Sequence, residues 1–358
     1  MIAPASSGSY PRRDGNFVRP LIGGAAAFGR IAEAVDAARH RVWVTVAFYA
    51  DDFHFPDGRG LFERLDAAAV RGVDVRVVFW RPNPESAHYG RTFAGPVAEG
   101  SRVRVRWDCA IGPYCQHQKS WVVDEIGFVG GINLTAKALE RHDAYLEVAG
   151  PCATDVHHNF VERWNGASEH RDGANDLLLP AAIGAPCGTS VVQIQRMFGA
   201  DKSILEQYER AIDAAERTIH IENQAIPIAP IAARLERALK RDVEVLLVVP
   251  AVPEEAVYAA RLDPARRALF DGLEALGRYP NFRLAGLPVY VHAKLMIVDD
   301  AWATIGSCNL HAYSLGGSAE MNASIWDAAM ARALRADLLR RHENDIFTLA
   351  PELYAVSR

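Results

Sequence analysis

The chain repeats itself, and that constrains its fold more than any other feature. Residues 34–44 read AVDAARHRVWV and residues 211–221 read AIDAAERTIHI. A second block, RLDAAAVRGVDVRVV from Arg64, matches RLERALKRDVEVLLV from Arg234, and a third, HQKSWVVD from His117, matches HAKLMIVD from His292. The three blocks keep their order, and partners lie 177, 170 and 175 residues apart, which marks a tandem duplication with slightly different loops. In the first two blocks, apolar residues at three- and four-residue spacing run into Val-rich strands with alternating apolar positions. Alternating helix and strand with short connections predicts two tandem α/β/α sandwich domains about a pseudo-two-fold axis. A chain of 358 residues exceeds one ordinary core and suits two. Gly, Asn, Asp, Ser and Pro cluster over residues 165–190, so the expected halves are residues 1–180 and 181–358.

Within the third block the pattern His-x-Lys-x4-Asp occurs twice, as His117, Lys119, Asp124 and as His292, Lys294, Asp299. Alternation along a strand aims each His and Lys to one side, while SWVV and LMIV fill a buried strand between Lys and Asp. A glycine turn and an asparagine follow each motif: GGIN, containing Gly131 and Asn133, and GSCN, containing Ser307 and Asn309. Small residues there let donors approach an anion closely. Ten and eleven residues further on come Asp143 and Glu320. Each half thus contributes a histidine, a lysine, an asparagine and an acid.

This set suits phosphodiester exchange. One neutral imidazole attacks phosphorus in line, and a second, protonated, serves the departing alcohol oxygen. A carboxylate on the far ring nitrogen fixes the tautomer, a role assigned to Asp143 and Glu320. Lys119 and Lys294 supply charge at the phosphoryl oxygens, with Asn133 and Asn309 as neutral donors, so no metal or other cofactor is called for. Asp124 and Asp299 stand at strand ends as structural acids. The two halves are symmetric in these residues and do not say which histidine attacks.

The doubled motif, with its Gly-Gly or Gly-Ser and Asn, resembles the signature of the phospholipase D superfamily. GNFVRPLIGG near the start, VERW at residues 161–164, IENQ at residues 221–224 and YVHAKLMIVDD at residues 290–300 extend the resemblance over nearly the whole chain. The IENQ stretch and second motif look most like lipid-acting phospholipase D and cardiolipin synthase-like members. The resemblance implies a phosphohistidine intermediate, with His117 as nucleophile and His292 as general acid. In one departure, five residues separate Asp124 from Gly130 and six separate Asp299 from Gly306, so the first hairpin is a residue short.

The resemblance leaves three reactions open: phospholipase D-type hydrolysis or transphosphatidylation as the first reading, cardiolipin synthase-like phosphatidyl transfer, and metal-independent nucleic-acid cleavage. The acceptor is accordingly water or an alcohol. A net charge of -5, with only five lysines among 39 basic residues, argues against nucleic acid as partner. A non-catalytic phosphate-binding module is the remaining class, disfavoured by two intact motifs. Five cysteines with no CxxC pair predict reduced, mostly buried thiols, Cys308 among them. His142, His157 and His158 read as core or surface histidines. Glu222 and Asn223 belong either to the site wall or to a strand end. Tyr114, Tyr89 and Phe93 sit in Pro- and Gly-rich loops (residues 81–100 and 108–115) that are candidates for a headgroup pocket or a membrane-resting face. No apolar run nears the roughly 18 residues of a membrane span, and the start lacks a secretory pattern. The expectation is a soluble, cytoplasmic monomer that touches the membrane peripherally to reach a phospholipid.

Overall fold

A computed structural model of the chain describes residues 2–86, 93, 98–108, 112–167, 169–170 and 176–356. The first half runs β1 (Arg13–Ile22), α1 (Gly24–Ala37), β2 (Arg41–Val46), α2 (Leu61–Val70), β3 (Asp74–Trp80), β4 (Arg104–Asp108), β5 (Ser120–Val123), β6 (Ile126–Gly130), β7 (Ala144–Ala149), α3 (Pro151–Asn165) and β8 (Glu169–His170). The second half runs β9 (Ser190–Met197), α4 (Ser203–Asp213), β10 (Thr218–Asn223), α5 (Ala229–Leu239), β11 (Glu244–Pro250), α6 (Glu255–Leu262), α7 (Arg267–Leu276), β12 (Phe282–Leu287), β13 (Lys294–Val298), β14 (Trp302–Gly306), α8 (Ala312–Gly316), β15 (Glu320–Trp326), α9 (Ala328–His342) and β16 (Phe347–Thr348).

All the strands join one hydrogen-bonded order, β16-β12-β11-β10-β13-β14-β15-β9-β1-β7-β6-β5-β2-β3-β4-β8. The order is palindromic: β9 answers β1, β15 answers β7, and so on outward, as duplication about a two-fold demands. The halves join where β1 and β9 pair antiparallel, with a register shift between Arg13 and Asn16. In each half, parallel pairs (β2 with β3, β10 with β11) meet an antiparallel hairpin that carries the motif.

The apolar residues divide into three cores. α1 and α2 cover the outer face of the first half around Phe28, Leu65 and Val77, while α4, α5 and α7 cover the second around Ile212, Leu235 and Phe270. A third core draws on both halves: Val122, Val129 and Leu146 lie in one cluster with Leu295, Ile305 and Met321. Strands buried on both faces become continuous apolar runs, which explains VVFW in β3 and LLVV in β11. The segment before β1 leaves its own half: Ile2 joins the second half's outer core, and Ala5 N–H donates to Gln207 Oε1 at 2.8 Å.

Both motif hairpins turn on an aspartate with positive φ, Asp124 at 49° and Asp299 at 55°. Each carboxylate accepts three backbone N–H groups from the stretch leading into the neighbouring parallel strand. Asp124 takes those of Arg39, His40 and Arg41 at 2.9 Å, and Asp299 those of Glu216, Arg217 and Thr218 at 2.8–2.9 Å. These acids tie a turn to a strand start. The residue missing from the first hairpin is lost from the turn, Asp124-Glu125 against Asp299-Asp300-Ala301, and β6 and β14 are equally long. Asn133 and Asn309 therefore each stand three residues beyond their strand.

Candidate active site

The two motifs meet at the seam between the halves, on two short parallel bridges. Gln116 pairs with Ala319, and His142 pairs with Val291. In the first bridge His117 N–H donates to Ala319 O at 2.8 Å, and in the second His292 N–H donates to His142 O at 2.8 Å. This register delivers each acid to the histidine of the other half. Glu320 Oε2 lies 2.9 Å from His117 Nδ1, and Asp143 Oδ2 lies 2.5 Å from His292 Nδ1. Sequence alone groups each acid with its own motif; the fold crosses them.

The lysines close the pocket. Lys119 Nζ donates to His117 O at 2.7 Å, while Lys294 Nζ lies 3.1 Å from Gln224 Oε1 and 3.0 Å from His292 Nδ1 and also donates to His292 O. Asn133 Nδ2 is 3.5 Å from His292 Nε2, another contact across the seam. Asn133 Oδ1 and Asn309 Oδ1 are both buried without a partner. Both oxygens are acceptors, open to a hydrogen bond from a ligand hydroxyl.

Burial drives the ionisation of the site. It pushes His117 down to about 4 against the pull of Glu320, and Lys119 down to about 8. Lys294 falls to about 7, and His292 well below the ordinary imidazole value, by burial and then by neighbouring cations. Asp143 is pushed up to about 6 by burial. Glu320 goes the other way: His117, Lys119 and Ser307 outweigh burial and hold it below the usual range. Cations depressed in this way fit a pocket awaiting an anion, whose arrival would restore their charge.

Other sequence expectations land differently. Ser307, expected among the substrate donors, gives its hydroxyl to Glu320 Oε2 at 2.5 Å, and Ser314 bonds the other carboxylate oxygen. Gly131, its counterpart, is small because a Cβ there would come 2.5 Å from Asp143 Oδ1 and 3.0 Å from Lys294 Cδ. Tyr114 packs its ring against Gly317, three residues before Glu320, where a Cβ would stand 2.6 Å from the ring. Glu222, a candidate for either the site wall or a strand end, turns away from the wall: it pairs with Leu295, one residue out of phase with Lys294. Its buried carboxylate binds His220 Nε2 at 2.9 Å, His342 Nε2 at 3.0 Å and His142 Nε2. Phe93 is no membrane-facing loop residue but packs on Tyr49, Phe62 and Phe79. Tyr89 and Cys109 lie outside the described residues, and Cys115, Cys152 and Cys308 are buried free thiols.

Sequence reasoning missed Gln224, Ser314 and His342. Only Gln224 left a signal, in the IENQ stretch. Among the described residues, His142, Glu222 and His342 have ligand atoms close enough for a metal ion, within 4.8 Å of one another. Their approaching atoms are already joined by hydrogen bonds to the one carboxylate. No helix among the described residues is long and apolar enough to cross a membrane.

Comparison with known proteins agrees with this geometry. The family model described as "Cardiolipin synthase, PLD-like domain" matches twice, over residues 31–164 and 208–341. The cardiolipin synthase of Listeria innocua is 26% identical over 351 residues, 91% of this chain and 68% of that one. Cardiolipin synthase A of Pseudomonas putida (strain GB-1) is 28% identical over 357 residues, 95% of this chain and 70% of that one. The crystal structure of the phosphatidylserine synthase of Haemophilus influenzae Rd KW20 superposes with a TM-score of 0.63 at 15% identity, covering 93% of this chain and 87% of that one. A polyphosphate kinase from Porphyromonas gingivalis superposes at 0.59 with 12% identity, over 94% of this chain and 49% of that one. With the family model matched in both halves, this protein belongs to the phospholipase D-like enzymes and carries two such domains in one chain.

Proposed function

We propose that the protein is a phosphatidyl transferase of the cardiolipin synthase type, working through a phosphohistidine. The observation that carries this reading is the crossed pairing of His117 with Glu320 and His292 with Asp143 around two lysines and two asparagines with unpartnered oxygens. Glu320, held ionised, can only accept, so His117 Nδ1 carries the proton and Nε2 presents a lone pair. That nitrogen attacks phosphorus and forms the N–P bond. The bond to the departing alcohol oxygen breaks, and His292 gives that oxygen its proton. In the return step an incoming hydroxyl passes its proton to His292 and attacks phosphorus, and the N–P bond breaks. Lys119 and Lys294 offset charge on the phosphoryl oxygens throughout. The bound anion raises the pKa values of both lysines and of His292, so the proton needed for the first step is taken up with the substrate.

Hydrolysis as the leading reading gives way to transfer, because the matched relatives are named synthases. Contact with a lipid surface has support at the mouth. Val252 is 70% and Val289 is 47% exposed, and the adjoining Glu254 and Tyr290 both contact Gln224 there.

The test is purified protein in EDTA on phosphatidylglycerol vesicles with ethanol, beside His117→Ala. Cardiolipin and phosphatidylethanol are expected, falling at least about a thousandfold in the variant. Quenching in denaturant at neutral to mildly alkaline pH, where an N–P bond survives, should trap the phosphatidyl group on His117. Phosphatidic acid alone would return the reading to hydrolysis. Cleavage of single-stranded DNA without lipid turnover would make it a nuclease, and phosphate binding without turnover a binding module.

A further inference from the structure

The two half-sites share the crossed histidine–acid pairs but differ in charge and size two residues outside them. On the His117 side, the residues two before the histidine and two before the acid are Cys115 and Ser318. Both are buried, and Sγ and Oγ lie 3.7 Å apart. On the His292 side the same positions hold Tyr290 and Arg141, both half-buried, with the guanidinium 4.7 Å from the ring centroid. Backbone bonds fix the equivalence: Ala319 N–H donates to Cys115 O, and His142 N–H donates to Tyr290 O. One lip of the mouth is therefore small and neutral, and the other aromatic and cationic.

Arg141 makes no ion pair among the described residues. An arginine stacked on a ring keeps its N–H edge free, and that planar fork matches a phosphate. Glu254 reaches the same lip but is held by Gln224 Nε2 at 3.2 Å, and Gln224 Nε2 also donates to Tyr290 Oη at 3.3 Å. Alternation puts Arg141 and Tyr290 on the face of Asp143 and His292, two residues out, a step of about 6–7 Å. A glycerol unit separates a terminal hydroxyl from its own phosphate by a comparable span. Water, ethanol or free glycerol has nothing to offer a cation at that distance.

We propose that Arg141, stacked on Tyr290, is a subsite for the phosphate carried by the acceptor alcohol, so that the enzyme selects a phosphate-bearing glycerol over a neutral alcohol. The selection rests on the phosphatidyl-transfer reading and names its second substrate by chemistry. It also supplies a reason for the broken symmetry. A neutral headgroup departs and an anionic acceptor enters at the same histidine, and only the second needs a counter-charge.

Two measurements test it. With phosphatidylglycerol vesicles and ethanol in one reaction, Arg141→Ala should lower the ratio of cardiolipin to phosphatidylethanol about tenfold, and Arg141→Lys should recover part of it. Equal loss of both products, or an unchanged ratio, overturns the subsite. Calorimetric titration with sn-glycerol 3-phosphate needs no turnover: wild type should bind it about tenfold more tightly than Arg141→Ala, measured in protein of matched thermal midpoint. Equal affinity would overturn the proposal as well. If wild type forms no phosphatidyl product, the transfer reading fails, and the titration still decides whether Arg141 holds a phosphate.

Discussion

Asp143 and Glu320 hold matching positions but keep different company. Glu320 receives His117, Ser307 and Ser314, whereas Asp143 receives His292 and its neighbour's amide, Ala144 N–H, at 2.7 Å. Part of the difference comes from Ser307 in the second half against Gly131 in the first, and part from Ser314. His117 and Lys119 do most to hold Glu320 down, and the donated Ser307 hydroxyl, which favours the charged form, adds to them, while burial pushes Asp143 up to about 6. Ser307→Gly, which copies the first half, should therefore raise the Glu320 carboxyl. Activity that needs Glu320 ionised is present above its pKa and lost as pH falls through it. The acid limb of kcat/KM should thus move up by roughly half to one pH unit. An unmoved limb would mean that Ser307 only fills space.

The motif hairpins show how far sequence carries the site. His117, Lys119, His292 and Lys294 are legible because polar pairs on an alternating strand, repeated in register, have no reason to exist as packing. Asp124 and Asp299 are legible as turn residues for the same local reason. The crossing of Asp143 and Glu320 was not, because those contacts join residues 149 and 203 positions apart, and no local pattern encodes them. Glu222 stayed open between wall and strand end since strand parity gives two faces without saying which one the pocket occupies. Ser314 and His342 act from helices whose own pattern concerns packing alone. Each hairpin aspartate, accepting three backbone N–H groups at a positive φ, should cost about 2–3 kcal/mol when changed to alanine. Urea unfolding of Asp124→Ala and Asp299→Ala checks this; a loss under about 0.5 kcal/mol would place the hold on the turn elsewhere.

At the scale of the molecule, the continuous strand order and the shared central core leave no clean division into halves. The segment from Ile2 reinforces this by packing on the second half's outer core. Two domains joined only by a linker would melt separately. Here one cooperative endotherm is expected, with van 't Hoff and calorimetric enthalpies agreeing. Two resolved endotherms would show that the β1–β9 pairing and the central core are weaker than their burial suggests. The boundary that the sequence suggests near residue 180 concerns repeated units rather than independent folding.

Duplication ordinarily leaves a spare, and one copy is then free to drift while the other keeps working. The exchange of acids across the seam closes that route. Loss of the acid in either copy removes a partner from the other's histidine, so neither copy is a spare. The two lips of the mouth, which lie outside that exchange, are where the copies have been free to take different side chains.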